Sequence, residues 1–481
     1  MELTAVGALQ LLLALALFGF GSLTPLFALV VASTLLGGSA AVFLPALGGS
    51  SVSPAHFALG LLLLRCVLPG GVAPGAMRAA VEGNAWLVLF VAYGILAALV
   101  LPRLFEGALD VTPLRGQLRE RYGSETARIL AAAPLRFTAQ NLTTAIYMAG
   151  TLGMALAAHA VVRMPRGSEA LVRTGATLAL VHGITGFASV ALRDTPVDTA
   201  LGFFRNGAYA QLDHRWEGFV RMNGIWPEAS SFAAFGVGWF VFNFECWLRR
   251  VEPHLTGPAA LVLGLALLAS TSTTAYVGLA LSGGALLVRA ATTPGLIAPD
   301  RLAWLSLVAI GAVIAVSALL VLDPLLAAAM RKLLEHTTVD KAASFSGRQR
   351  LFWARQGIDA FVISHGLGIG PGSFRSSSLA TAILGSTGVV GAVAFLAHLL
   401  RTLGPLALST YRPVGDRQCD IGASAAWAVL VGAGVASVSA PSCDPGLTFA
   451  ILSGSAIALR GRTRPLTSSS AAPAAPAQAP A

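Results

Sequence analysis

The run Ala85-Trp-Leu-Val-Leu-Phe-Val-Ala-Tyr-Gly-Ile-Leu-Ala-Ala-Leu-Val-Leu101 decides the fold. It carries no charged side chain, and a helix of about 20 such residues crosses a hydrocarbon core of ~30 Å. Similar runs recur near 5–20, 24–47, 54–70, 138–162, 170–192, 230–248, 257–270, 273–290, 302–322, 376–400, 423–439 and 446–460. The expectation is an all-α polytopic membrane protein with 12 or 13 transmembrane helices. Composition agrees, since 55% of the 481 residues are hydrophobic, 11% are charged and the mean hydropathy is +0.74. An open sheet is excluded because lipid cannot satisfy its edges, and continuous apolar runs do not fit a barrel's alternation. The segments 257–270 and 273–290 are short and nearly contiguous, as a tight hairpin or one broken helix would be.

Met1 to Gly21 has no basic leading segment, so it reads as a first span and not as a removed signal peptide. Residues 1–462 form one transmembrane domain in this reading, and 463–481, ending in Ser, Ala, Pro and Gln alone from 468, form a disordered tail. The formal charge of +10 reflects loops and not a nucleic-acid partner. Arg249, Arg250, Arg289, Arg301, Arg401, Arg412, Arg417 and Arg460 fall in short loops or ends on one side, which the positive-inside rule assigns to the cytoplasm. Two long polar loops, about 193–229 and 323–375, then face outward together, with the N-terminus on their side. Cysteine spacing suggests no disulfide framework.

Chemistry is concentrated in those loops. Glu228 precedes the span that starts near 230, where a helix N-terminus favours an anion; it caps that helix, pairs with an arginine or holds a sugar hydroxyl. Arg348, Arg350 and Arg355 lie on a stretch of helical character, either a solvated helix at the membrane surface or a phosphate-binding group. Arg375 follows the run Gly366-Leu-Gly-Ile-Gly-Pro-Gly372, in which Gly368 and Gly370 offer amides that can approach a phosphate. His365, before that run, is a candidate proton acceptor for a hydroxyl, with His214 and His336 as competitors. Within the spans, Arg65 is placed to snorkel, and His182 must face protein or water. Ser270-Thr-Ser-Thr-Thr274 lines a polar entrance or bonds to nearby carbonyls. There is no metal-ligand cluster, HExxH, nucleophile elbow or Walker loop, so no metal or cofactor is expected.

Three stretches resemble the O-antigen ligase and O-antigen polymerase superfamily of bacterial inner-membrane glycan enzymes. They are Arg221…Gly224…Glu228-Ala-Ser-Ser-Phe232, Leu268-Ala-Ser-Thr-Ser-Thr-Thr-Ala-Tyr-Val-Gly278, and Gly347-Arg348…Trp353 with the glycine run and Ser376…Gly391. The likeness covers about 205–400. It implies a metal-independent glycosyltransferase that takes a glycan from an undecaprenyl-diphosphate carrier and passes it to a glycan or lipid acceptor. Arg221 and Arg348 would hold the diphosphate, with Arg375 beside them. Many members carry a His or Asn shortly after the glycine run, where this chain has Ser376-Ser-Ser378, so His365 and Glu228 are the candidate bases. The missing ligase-type histidine favours a polymerase of surface polysaccharide over a ligase. A transporter of lipid-linked oligosaccharide would place charge within the spans, and a non-catalytic assembly partner would not need the outer arginines.

Overall fold

The computed structural model describes residues 2–19, 21–44, 50–114, 132–207, 215–216, 219–293, 295–322, 328, 345–405 and 407–460. The expected tail at 463–481 and the competitors His214 and His336 lie outside them. Among the described residues helices dominate, and strands are confined to one small three-stranded sheet and two short hairpins. Seven of the described helices are long and apolar enough to cross a membrane, and five shorter apolar helices run among them. With Pro299–Leu322 they make thirteen, the upper figure expected from the sequence. The chain is an all-α polytopic membrane protein.

In chain order the helices are α1 (Ala5–Gly19), α2 (Leu23–Ser33), α3 (Pro54–Val67), α4 (Pro74–Gly83), α5 (Ala85–Leu104), α6 (Ala139–Val161), α7 (Gly167–Ala191) and α8 (Pro196–Phe203). They continue with α9 (Ala229–Leu248), α10 (Pro253–Ala269), α11 (Thr273–Thr292), α12 (Pro299–Leu322), α13 (Phe345–Ile363) and α14 (Leu379–Leu403). The last are α15 (Leu408–Tyr411), α16 (Arg417–Ala436) and α17 (Gly446–Arg460). The pair near 257–290 is a hairpin: α10 and α11 are separate helices joined through Thr271, whose φ is 51°.

One end of the bundle is an arginine face. Glu245 of α9 pairs with Arg289 of α11 and, at 3.2 Å, with Arg249, which in turn meets Asp420 of α16 at 3.2 Å. All four groups are buried, and the Arg289 guanidinium lies 4.4 Å over the Trp427 ring. Arg460 bonds the carbonyls of Thr402 and Gly404, and Arg401 that of Gly83. Arg65 reaches the Gly21 carbonyl at 2.7 Å, tying the end of α3 to the α1–α2 turn. The short-loop arginines therefore gather where helix C-termini present bare carbonyls, as their charge favours.

The opposite end is a loop face. It carries the sheet β1 (Glu2–Leu3), β2 (Val42–Leu44) and β3 (Ser50–Val52), and the 205–228 connection, held to it through Gly207 N–H to Gly38 O and Ala40 N–H to Asn206 Oδ1. Arg205 donates twice to the Gly224 carbonyl, once at 2.9 Å, and pairs with Asp198 at 3.6 Å, fixing that connection from below. His182 is a core histidine here: it bonds Phe232 O at 3.0 Å and stacks on the Phe232 ring, linking α7 to α9.

The second long loop departs from expectation. Instead of lying on the surface, α13 runs alongside α14 in the same direction, with Gly357 against Thr381 and Gly366 O accepting from Val389 N–H at 2.9 Å. The chain then turns, and the glycine run climbs back to the loop face, where Ser377 Oγ donates to Arg350 O. Tyr93, midway along α5, donates to Leu367 O at 3.1 Å, so the turn sits near the middle of the slab. Residues 345–378 are a re-entrant segment. It is tolerated because the polar backbone is satisfied: α14 breaks at Gly388 (φ 58°, ψ −154°), and the freed groups around the break pair with the glycine run.

Candidate functional site

The two loops meet at the loop face. Arg221, in the segment before α9, lies within electrostatic reach of Glu228, of Arg350 on α13 and of Tyr276 in the first turn of α11. Burial holds the Arg221 guanidinium below the usual arginine value; Glu228 opposes that shift, Arg350 adds to it, and Tyr276 opposes it. Two guanidinium groups thus face one nearby carboxylate in a partly dry setting, leaving an excess of positive charge.

Helix ends add to it. Glu228 is the N-cap of α9, with extended backbone (φ −152°, ψ 158°), but its side chain takes no bond from the helix amides. It accepts instead from Ser230 Oγ at 2.5 Å and Ser231 Oγ at 3.2 Å. Both hydroxyls belong to the first turn, so the Glu-Ala-Ser-Ser sequence orients its own carboxylate. The N-terminus of α11 is adjacent, since Tyr276 belongs to its first turn. Ser272 Oγ and Thr274 Oγ1 in that turn are buried and have no partner among the described residues. A helix N-terminus with spare hydroxyls beside two arginines suits a polyanion such as diphosphate.

The remaining candidates divide. Arg348 is exposed on α13, two residues before Arg350 and so on roughly the opposite side of that helix. Arg355 is also exposed and pairs with Asp359 at 4.0 Å. Of the α13 arginines, Arg350 is the one whose charge acts on Arg221. Arg375 lies against α13, its guanidinium 4.4 Å over the ring of Trp353, three residues on from Arg350, and its backbone N–H donates to Thr112 O.

Gly368 and Gly370 do not offer their amides to a ligand. Gly368 N–H donates to Ser364 Oγ at 2.8 Å and Gly370 N–H to Ser386 O at 3.0 Å, and both residues are buried. Gly370 has φ +90°, and a Cβ there would come within 2.7 Å of Ala97 O. The run is glycine because it threads between α5, α6 and the broken α14, a packing requirement that leaves no cradle for phosphate.

His365 also leaves the site. It ends α13 at φ 51°, and from Arg350 to Ile363 that helix rises about 20 Å. Its surroundings are apolar and outward-facing: Val362 is 64% exposed and Val389 51%. His365 thus lies at the far end of α13 from Arg350 and is not among the groups whose charge acts on Arg221. Glu228 is the candidate base that remains with the arginines.

Asp444 is a carboxylate that the motif reading passed over. It lies in the α16–α17 connection, where Thr151 Oγ1 donates to its Oδ1 at 2.8 Å and Gly446 N–H at 3.2 Å, and burial pushes its pKa up. Thr151 is about 18 Å down α6 from Ala139, so the loop face is hollow there. A lone Asp between two apolar spans is the sequence signal that marks it. Among the described residues no three His, Cys, Asp or Glu side chains come together as a metal site would require. Comparison with protein-family models, with curated proteins and with solved structures finds no match for this chain.

Proposed function

We propose that this protein is a membrane glycosyltransferase of bacterial surface-polysaccharide assembly, acting at its loop face on a glycan carried by a polyprenyl diphosphate. The observation that carries the reading is the meeting of Arg221 and Arg350 with Glu228 at the N-terminus of α11. The motif resemblance supports it, because each of the three stretches that carry the likeness brings a residue to this cluster: Arg221 and Glu228, Tyr276, and Arg350. Polymerisation is the favoured form, with ligation to a lipid acceptor as the alternative. The corresponding membrane is the bacterial inner membrane, with the arginine face toward the cytoplasm.

In the reaction the bond from the anomeric carbon to the diphosphate oxygen breaks, and the diphosphate leaves with the electron pair. Arg221, Arg350 and the α11 N-terminus match the charge that develops on it, fixed in place before the reaction begins. The acceptor oxygen bonds to the anomeric carbon, and its proton passes to Glu228.

The test is transfer by the protein reconstituted in liposomes with a lipid-linked oligosaccharide donor. New glycosidic bonds, lost in Arg221→Ala with Arg350→Ala, are the expected outcome. Passage of the donor across the bilayer with no new bond would make the protein a transporter instead.

A further inference from the structure

A cavity of about 330 Å³ opens at the loop face between the start of α3, Tyr147 of α6, Leu447 and Thr448 of α17, and the Trp226-Pro227 segment. Its volume is at the low end of small-molecule sites. Trp226 and Pro227 are the residues immediately before Glu228, so one segment forms a wall of this cavity and leads into the arginine cluster.

The lining has a definite chemistry. Ser39, Ser51, Ser53 and Thr448 supply hydroxyl groups, and Trp226 and Tyr147 supply aromatic surface. Among the described residues no Asp, Glu, Lys or Arg lines it, so it contrasts with the cationic site next door. The hydroxyls are anchored: Tyr147 donates to Ser51 O at 2.5 Å, Ser53 Oγ meets His56 Nδ1 at 2.8 Å, and Ser39 donates to Phe204 O. Anchored hydroxyl oxygens keep lone pairs for a further donor. Trp226 Nε1 and His56 Nε2 are buried atoms with no partner among the described residues. Buried polar atoms without partners are few in native proteins, and two of them on residues that line one cavity call for explanation.

We infer that this cavity is a subsite for a neutral sugar unit. A pyranose has the matching surface: hydroxyls that donate and accept around its rim, and an apolar face of C–H groups that packs on an aromatic ring. The absence of charge in the lining selects against uronic acids and phosphosugars, whose anionic groups would lose hydration without gaining a partner. The inference rests on the transferase reading for its place in the reaction, with the sugar held beside a leaving group at Arg221 and Arg350. The sugar can come from the free acceptor glycan or from the unit attached to the donor lipid.

The experiment uses the full chain in nanodiscs, free of sugar-based detergent, with three kinds of probe. Neutral mono- and disaccharides (glucose, galactose, N-acetylglucosamine, maltose) are followed by saturation-transfer NMR, and a polyprenyl diphosphate without sugar and one carrying a single N-acetylglucosamine are followed by equilibrium binding. Thr448→Phe fills the cavity, and Thr448→Ser keeps both the opening and the hydroxyl as a folding control. The expected result is saturation transfer to at least one neutral sugar, reduced tenfold or more in Thr448→Phe and kept in Thr448→Ser, with diphosphate-lipid binding unchanged in both. Glucuronic acid should give no signal.

Signal from free sugars assigns the subsite to the acceptor. Signal only from a lipid-linked sugar, still lost in Thr448→Phe, assigns it to the donor. No signal from either source, or equal signal in wild type and Thr448→Phe, overturns the inference while leaving the arginine site untouched. Sugar binding that survives when the diphosphate lipid fails to bind would instead sink the transferase reading and keep the cavity.

Discussion

Arg350 on the re-entrant helix and Arg221 before α9 lie within electrostatic reach of each other, although they belong to different long loops. Glu228 is the carboxylate that offsets Arg221. Like charges in a partly dry site repel, so the pair is held together by the fold and gains when an anion arrives. Each guanidinium bound to diphosphate contributes on the order of 1.5–3 kcal/mol through charged hydrogen bonds. Arg221→Ala or Arg350→Ala should therefore weaken diphosphate-lipid binding about tenfold to a hundredfold. Arg348→Ala and Arg355→Ala, both exposed, should leave it within about threefold. Affinities measured at one salt concentration decide between the two arginines at the front and the two behind. Equal losses at 348 and 350 would remove the geometry proposed here.

Glu228 and His365 make opposite expectations. A general base accounts for roughly 10²–10⁴-fold in rate, so Glu228→Gln should lower transfer by that order while donor binding persists. His365→Ala should transfer at a near-normal rate, because His365 ends a helix about 20 Å from Arg350. Cysteine placed at 348 should react with a membrane-impermeant maleimide, and cysteine placed at 365 should not. Rapid labelling at 365 would mean that the re-entrant turn opens to water.

The fold was legible where physics is one-dimensional. Continuous apolar runs located most of the spans, and the arginines of the short loops marked one face, since both signals depend on composition over a stretch. The run near 24–47 misled, because its helix ends at Ser33 and Val42–Leu44 is a strand. The site was legible only in part. Arg221, Glu228 and the Ser/Thr junction before Tyr276 were quoted from their motifs, but helical spacing alone could not tell which of Arg348, Arg350 and Arg355 turns inward. That depends on α13 packing against α14 through Gly357, a tertiary fact. The glycine run misled for a related reason. Glycines that thread between helices and glycines that cradle phosphate have the same spacing, and they differ only in what the amides meet.

Asp444 gives a pH dependence with a definite sign. Burial raises its pKa above the ordinary carboxylate value, with Thr151 and Gly446 opposing, so the folded protein binds the proton more tightly than the unfolded chain does. The stabilisation from that proton is complete below the unfolded value of about 3.9 and is lost as pH rises through the folded one. Asp444→Asn keeps an acceptor for Thr151 and never ionises. Its thermal midpoint should match wild type near pH 4 and exceed it progressively at higher pH. A wild-type midpoint that rises with pH relative to the variant would place the carboxylate in a setting that favours its charge.

The arginine face should be the most sensitive part of the fold to single changes. Glu245 accepts from both Arg289 and Arg249, and Arg249 also meets Asp420, so two cations and two anions balance inside a buried cluster joining α9, α11 and α16. Glu245→Gln keeps the shape but leaves two guanidinium groups against one carboxylate. Breaking a buried pair in this way costs about 3–5 kcal/mol, because the orphaned charge has lost its water without keeping its partner. Changing Arg289 in the same chain should restore part of that loss, since Arg289→Met with Glu245→Gln returns the cluster to one cation and one anion. Arg250→Ala, whose partner Asp300 is exposed, should cost less than about 1 kcal/mol. Unfolding of the four proteins in one lipid environment provides the comparison. A double variant no more stable than Glu245→Gln alone would show that charge balance is not what holds the three helices together.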